Sequence, residues 1–379
     1  MSHINNTNSF VKIWSNRDKK TIKLLICFLA TIQITSCQMI KEKTPEWYAE
    51  MCHPENKYRI DIVKDNIFTL EGLQAGLPYG GSSGNWGDSG GMWTEQHGTP
   101  TGADITYYAG YDNTFYRLKI ELPVEKMKDL VKRNYAFREI KGKTVKEYVY
   151  EGDSDLSFIQ DSDAPYKSYH RFLSIVFGFA PKGMVVVWAN YGLTVIEIGR
   201  YQAEIITNKE ELQDAKNKYL KIWRFSPKRF DDLAKDFFVP DANCELWDTY
   251  RIRYNWRPVF ISENPQFKIF EVDTEYYNAE KDQMLRPWLL ENKMKERALP
   301  QVMQFFWETG KNEKFEGRIF FNQKELFERF KNISGDNEMQ IKIAEDNRSI
   351  EVFLNNQILK VDSIRIYPND YKVYNESYK

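Results

Sequence analysis

The chain has 379 residues, of which 42% are hydrophobic and 28% charged, which is enough apolar material for one large domain or two of ordinary size. Its formal net charge of −1 excludes a broadly basic face, and with it general nucleic-acid binding. Aromatic residues make up 15% of the chain, and such residues favour strands and anchor protein interfaces.

The first predicted element is a targeting segment. Residues 24–37 (LLICFLATIQITSC) form a short apolar run that follows a basic flank. Such a run is typical of a secretory signal, because about 20 apolar residues are needed to span a bilayer. Its end at Cys37 resembles the bacterial lipobox, so we predict a lipoprotein signal peptide over residues 1–36. Acylation of Cys37 would anchor the chain to the lipid bilayer, with plain secretion or retention of the segment as the alternative.

The residues that follow bear on location and on the cysteines. Gln38 stands where an aspartate would signal inner-membrane retention, so we expect the bacterial cell envelope and the periplasmic face of the outer membrane. Residues 37–57 are charged and contain two prolines, which indicates a tether. In this oxidising compartment Cys52 and Cys244 remain as an even pair, and we predict a disulfide between them. Two buried thiols are the alternative, since spacing does not determine geometry.

Residues 58–245 are predicted to form a first α+β unit. Alternating residues, glycine turns and two apolar runs around APKG predict strands, whereas a proline start and 3.6-residue periodicity predict helices. The predicted strands are 58–71, 104–111, 114–121, 172–179, 184–189 and 194–206, and the predicted helices are 124–133, 209–219 and 227–238. Four aspartates within residues 153–163 indicate a solvated acidic loop, because the calcium-loop pattern is missing. No histidine pair or CxxC spacing supports a metal site.

A glycine-rich segment, residues 77–102, carries the first candidate binding residues. Bulky side chains alternate there with glycines, which are able to take positive φ; they are Tyr79, Trp86, Met92, Trp93 and His97. Long loops of this kind are disproportionately functional, and a recognition loop is one interpretation of this segment. The alternative is a flap that packs its tryptophans on its own sheet. The string GDSGG around Ser89 matches serine proteases, but no suitable upstream histidine accompanies it, so we predict no catalytic residues.

Residues 246–260 (LWDTYRIRYNWRPVF) are predicted to form a strand with aromatic residues on one face. Its three arginines, Arg251, Arg253 and Arg257, would then lie largely on the other face. One interpretation is a site for an anionic or aromatic partner. The other is that these arginines pair with nearby carboxylates.

Residues 246–379 form the second predicted α+β unit. At an offset of 200, Pro100 matches Pro300 and Gly110 matches Gly310, and a helix follows each predicted hairpin. The later elements are a helix over 323–332 and strands over 339–344, 350–354 and 357–366. The second unit is thus a possible degenerate repeat of the first. The predicted fold class is α+β, with antiparallel sheets, helices packed on one face and two related units, and without a cofactor.

Several motifs in order resemble a known family. They are the lipobox, GNWGDSGGMW, FYRLKIELP with its helix, FGFAPKGMVVVW, GRYQAE and the 246–260 block. The chain resembles, over residues 58–260, a family of uncharacterised bacterial envelope lipoproteins catalogued as a domain of unknown function. The resemblance implies an envelope lipoprotein without established activity, and loosely a role beside antibacterial effectors.

The functional expectation is a protein-binding module at the envelope, of the immunity type toward a secreted effector. Its partners would be the bilayer and another protein, and nucleic acid is excluded. The alternatives are an envelope hydrolase acting on glycan or lipid, and a structural lipoprotein.

Overall fold

The computed structural model describes residues 44–79, 84–137, 146–151, 169–286, 288–310 and 313–369. The predicted signal peptide, Cys37 and the acidic segment 153–163 lie outside these residues. From residue 46 onward the chain forms one compact unit. Within the described residues, no helix combines the length and the apolar character that crossing a bilayer requires.

The first half of the chain contains fourteen strands and four α-helices among the described residues. The strands are β1 (Glu46–Cys52), β2 (Ile60–Lys64), β3 (Ile67–Thr69), β4 (Gln74–Ala75), β5 (Trp93–His97), β6 (Pro100–Ala109), β7 (Thr114–Glu121), β8 (Arg133–Ala136), β9 (Tyr148–Tyr150), β10 (Tyr169–Arg171), β11 (Ser174–Phe179), β12 (Met184–Asn190), β13 (Val195–Gln202) and β14 (Glu204–Ile205). The helices are α1 (Val124–Leu130), α2 (Lys209–Trp223), α3 (Pro227–Asp236) and α4 (Glu245–Tyr250).

The second half adds ten strands and one helix among the described residues. They are β15 (Tyr254–Ser262), β16 (Lys268–Tyr276), β17 (Lys281–Leu285), β18 (Lys295–Arg297), β19 (Pro300–Glu308), β20 (Lys314–Phe321), α5 (Gln323–Lys331), β21 (Asn337–Ile343), β22 (Ile350–Leu354), β23 (Gln357–Ile358) and β24 (Val361–Asn369). The predicted α+β class with antiparallel sheets is confirmed.

Local sequence explains where the helices begin and end. Asn208 caps α2 by accepting hydrogen bonds from two backbone N–H groups. The helix ends at Trp223, and the next residue, Arg224, adopts a left-handed backbone conformation. Ser226 caps α3, whose first residue is Pro227. Both helices pack on the sheet that contains β2, β6 and β7. There, Tyr219 lies among buried aromatic residues.

The largest sheet has ten strands in the order β24-β20-β19-β16-β17-β13-β12-β11-β1-β5. Its five second-half strands and five first-half strands meet through one residue pair, Val195 with Lys281. A second first-half sheet (β14-β7-β6-β3-β4, with β2 on β6) and a second-half sheet (β18-β15-β21-β22-β23) pack against the two parts. Each half therefore has its own apolar core between two sheets.

The two halves share one pattern of strand pairing. In the first half β1 runs parallel to β11, and in the second half β15 runs parallel to β21. The hairpins β6–β7 and β19–β20 are each followed by a helix. Buried indoles repeat a contact as well: Trp47 Nε1 donates to Gly98 O at 2.7 Å, and Trp256 Nε1 donates to Ala298 O at 3.2 Å. The unit boundary between residues 245 and 246 stays a prediction.

Strand β1 corrects the predicted tether. Residues 37–57 were expected to be a linker, but Glu46–Cys52 pair with β11 on one side and β5 on the other. Trp47, Ala49 and Met51 are buried in the first-half core. The prolines and charges around this short alternating run obscured a half-buried strand, so the tether prediction is wrong from residue 46.

Each half also reaches across to cover the other. The small sheet β10-β8-β9 of the first half packs Val149 and Tyr169 against Phe270, Leu285 and Phe306 of the second. In the opposite direction, the turn between β16 and β17 meets the first-half sheet. There, Trp188 Nε1 donates to Asn278 O at 3.1 Å. These reciprocal contacts position the walls of the cleft between the halves.

Candidate functional site: an aromatic cleft between the halves

A cavity of about 520 Å³ is lined by residues from several segments that are distant in sequence. Its main walls are residues 84–88 of the glycine-rich segment, helix α4 and the β16–β17 hairpin, and the lining is completed by Pro54, Glu55, Gln301 and Gln323. The lining residues used below are Glu55, Trp86, Asp88, Trp247, Tyr250, Glu275, Tyr277, Glu280 and Lys281. Polar side chains contribute more of the lining than the aromatic rings do, and a concave surface of this size is a common place for a ligand to bind.

Helix α4 supplies the middle wall. Leu246, Trp247 and Tyr250 are spaced by three and four residues, which places them on one face of a helical turn. The prediction of a strand over residues 246–260 is therefore wrong for its first half, because the apolar residues there have helical spacing. The alternating pattern holds only from Tyr254, where β15 begins.

The aromatic rings of the cleft are arranged in two pairs that share α4. Trp86 lies 6.3 Å from Trp247 between ring centroids, at an interplanar angle of 52°. Tyr250 lies 5.1 Å from Tyr277, at an angle of 31°. Burial raises the pKa of Tyr250 to about 12, so its hydroxyl is neutral at physiological pH. Four rings from three segments thus face one cavity.

The glycine-rich segment touches the hairpin at one end of the cleft. Gly87 has a φ of +82°, and a Cβ placed on it would lie 2.3 Å from Ala279 Cβ, so only glycine permits this approach. Ala279 itself adopts a φ of +69°, a strained conformation for alanine. Gly87 N–H also donates to Cys52 Sγ at 3.1 Å, which fixes the segment to the end of β1.

Trp86 is the one predicted binding residue that lines the cleft. Its ring meets Trp188 edge to face at 5.0 Å. Its indole Nε1 is buried and has no hydrogen-bond acceptor among the described residues. An unpaired buried donor is uncommon in folded proteins and costs about 1–3 kcal/mol.

The other predicted residues of this segment lie outside the cleft and are exposed. Trp93 is 55% exposed on β5 and contacts Tyr48 at 4.5 Å between centroids, while Met92 is 37% exposed. Tyr79 is 65% exposed and donates a hydrogen bond to Asp65 at 2.6 Å. His97 is exposed beside Glu95. The structure therefore divides the predicted set between the cleft and the adjoining surface.

The three predicted arginines all meet carboxylates. Arg251 bonds Glu197 at 2.6 Å, Arg253 bonds Glu280 at 2.6 Å, and Arg257 bonds Glu338 on the neighbouring parallel strand at 2.5 Å. The first two join the segment after α4 to β13 and to the hairpin. Their geometry matches the interpretation in which the arginines pair within the protein, and their predicted role in binding stays a prediction.

The predicted disulfide is wrong, because Cys52 and Cys244 are both free thiols. Cys52 is fully buried, and burial raises its pKa to about 12. Cys244 is half-buried at the start of α4, and its thiol donates to Asp248 at 3.7 Å. An even number of cysteines says nothing about whether their side chains meet.

A second, smaller cavity of about 190 Å³ also lies between the halves. It contains Glu147 and Asp282, the kind of acid pair that a hydrolase needs. Burial and the nearby Asp282 raise the pKa of the Glu147 carboxyl, although the residue as a whole is exposed, and Asp282 is paired with Lys295 at 3.2 Å and Arg297 at 4.0 Å. The surroundings are those of an ion-pair network at the surface.

Together these features define a class: an α+β protein with an aromatic cleft between two similar halves. The described residues contain no group of three or more side chains able to hold a metal. The chain belongs to the DUF2931 family of proteins of unknown function, whose model matches residues 32–152 and 155–240, more than half of the chain. The predicted resemblance to a domain of unknown function is confirmed, and the lipoprotein character of the family stays a prediction. No curated protein and no solved structure matches the chain.

Proposed function

We propose that this protein is a lipid-anchored component of the bacterial envelope, at the periplasmic face of the outer membrane, and that it acts by binding another protein. The signal peptide and Cys37 motivate the address. The exposed Trp93 carries the proposal of binding, because tryptophan is among the side chains that dominate protein interfaces.

The surroundings of Trp93 suit an interface. Among the described strands, β5 is at the edge of the ten-stranded sheet and pairs with β1 on one side. The contact with Tyr48 holds the indole in place, so little side-chain entropy is lost when a partner covers it. Met92 and the aromatic cleft adjoin it along the chain. The partner class we propose is a secreted antibacterial effector, which the protein would neutralise as an immunity-type factor.

The test of binding uses purified residues 38–379 against the product of each neighbouring gene. Replacing a central interface tryptophan typically costs 2 kcal/mol or more, so Trp93→Ala should raise Kd about 30-fold. Phe238→Ala is the matched control, since Phe238 is 52% exposed on another surface; its Kd should stay within about twofold of wild type. Absence of binding to every neighbouring product, or an unchanged Kd for Trp93→Ala, would contradict the proposal.

The proposed lipid anchor and membrane location are tested separately. Mass spectrometry of the mature protein should show diacylglycerol and an acyl group on Cys37, and the protein should sediment with outer membranes. Cys37→Ser should abolish the modification and release the protein from the membrane fraction. An unmodified Cys37 thiol would refute the anchor without bearing on partner binding.

A further inference from the structure

The cleft surrounds its cavity with aromatic rings from three segments. Trp86 belongs to the glycine-rich segment, Trp247 and Tyr250 to α4, and Tyr277 to the β16–β17 hairpin. The face of a tryptophan or tyrosine ring attracts a cation within about 6 Å of its centroid. Cages of several rings are the arrangement that recognises ammonium and guanidinium groups.

The polar lining of the same cavity is mainly acidic. Four carboxylates and one ammonium line it: Glu55, Asp88, Glu275, Glu280 and Lys281. Lys57 approaches Glu55 at 2.9 Å and Arg253 approaches Glu280 at 2.6 Å, so two of the carboxylates are partly neutralised from outside. Glu275 meets Lys281 at 3.3 Å, with 54% of its side chain exposed. Three of the four carboxylates are therefore paired with a cation, and the aromatic walls are combined with a rim whose small excess of charge is negative.

Acidic and aromatic side chains also lie outside the cleft, on the edge of the ten-stranded sheet. Along β1, Tyr48, Glu50 and Cys52 share one face, and the Gly87 contact with Cys52 places the glycine-rich segment on that face. In the β1–β5 register Glu50 is opposite Trp93, and Tyr48 is opposite Glu95. An acidic and aromatic surface therefore runs from the cavity to the exposed Trp93.

The geometry points to a docking surface for a basic segment of a partner protein, with a lysine or arginine side chain seated among the four rings of the cleft. Charge complementarity identifies this occupant, since an acidic partner would meet the negative rim. A cation screened by ring faces and carboxylates is recognised by both electrostatics and shape. This inference rests on the proposed function and deepens it by naming the chemistry of the partner.

The probe is a dye-labelled peptide that alternates glycine and arginine, compared with a peptide in which neutral citrulline replaces each arginine. Fluorescence polarisation with residues 38–379 at low salt should show binding of the arginine peptide and at least tenfold weaker binding of the citrulline peptide. Raising the salt concentration should weaken the arginine complex. Equal binding of the two peptides, or competition by a neutral chitin oligosaccharide, would overturn the inference.

Charge reversal at the rim locates the binding site. Glu275→Lys should weaken the arginine peptide about tenfold, because it replaces an attraction with a repulsion near the cation. Glu204→Lys makes the same change of net charge on the exposed strand β14 and should have less than a twofold effect. Circular dichroism and the unfolding midpoint verify that both variants are folded. Equal effects of the two reversals would refute the location.

The two proposals fail in different ways. If Trp93→Ala weakens the complex with the protein partner but Glu275→Lys leaves it unchanged, the binding function holds and the basic occupant of the cleft is refuted. If neither substitution affects the partner, both proposals fall. Weakening by both substitutions, with a steep salt dependence, supports both.

Discussion

The contact between Gly178 and two tryptophans gives the sharpest prediction about the cleft. A Cβ on Gly178 would lie 2.5 Å from Trp188 Cζ3 and 2.8 Å from Trp86 Cζ3. Carbon atoms pack at about 3.5–4.0 Å, so at least one ring must move by roughly 1 Å in Gly178→Ala. Trp188 is fully buried and hydrogen-bonded to Asn278, whereas Trp86 lies on a loop and is half-buried. We expect Trp86 to be displaced.

The cost follows from two effects. Overpacking a core contact typically costs about 1–3 kcal/mol. Loss of the edge-to-face pair between Trp86 and Trp188 adds about 0.5–1.5 kcal/mol. Replacing glycine with alanine lowers the entropy of the unfolded chain, which returns about 0.4–1 kcal/mol. The net destabilisation of Gly178→Ala should therefore be about 0.5–4 kcal/mol, which leaves a folded protein.

Urea unfolding monitored by tryptophan fluorescence measures this change. Gly199→Ala is the matched control, because its Cβ meets the hydroxyl end of the Tyr201 side chain at 2.9 Å rather than two ring systems. Gly199→Ala lowers the entropy of the unfolded chain by the same amount, and it should reduce the free energy of unfolding by less than about 1 kcal/mol. Native Gly178→Ala should also show red-shifted emission from a more exposed Trp86. A midpoint for Gly178→Ala equal to or above that of Gly199→Ala would refute the packing argument.

Three further outcomes follow from the contacts described. Native residues 38–379 should react with a thiol reagent at Cys244 but not at Cys52, and both should react in urea; a protein without reactive thiols in urea would indicate a disulfide after all. Trp47→Phe and Trp256→Phe each leave a buried carbonyl without its hydrogen-bond donor, so each should lower the free energy of unfolding by about 1–3 kcal/mol in chemical denaturation. A variant with unchanged stability would contradict a stabilising role for these hydrogen bonds. The hydrogen bond to Asp65 raises the pKa of Tyr79 to about 12; the bond is present below pH 10 and lost as pH rises through 12, so the ultraviolet difference spectrum between wild type and Tyr79→Phe should titrate near 12, and a midpoint near 10 would count against it.

Local patterns were sufficient to predict most elements of the fold. The hairpin β6–β7, the buried pair β11–β12 and the helices α1, α2, α3 and α5 all lie where turns, prolines and periodicity indicate. The predictions failed where two signals overlapped. In residues 246–260 a helical turn runs directly into a strand, and the stronger alternation of the strand was extended over both.

The cleft was only partly predictable for a different reason. Trp86 was singled out because bulky residues alternate with glycines, but its neighbours Trp247 and Tyr277 belong to segments about 160 and 190 residues away. Long-range packing of this kind leaves no signal in a local window. The arginines illustrate the converse: their spacing was visible, but the carboxylates that bind Arg251, Arg253 and Arg257 were not.

The single residue pair between β13 and β17 has a mechanical consequence. Where two parts of a sheet are joined by a single residue pair, backbone hydrogen bonds do not hold the parts at a fixed angle. The backbone therefore determines the shape of each half but not the angle between them. That angle depends on the other contacts between the halves, namely the apolar packing of the β10-β8-β9 sheet on the second half, the Trp188–Asn278 bond and the Arg253–Glu280 pair. The aperture of the cleft therefore depends on side-chain contacts between the halves rather than on the hydrogen bonds within either sheet.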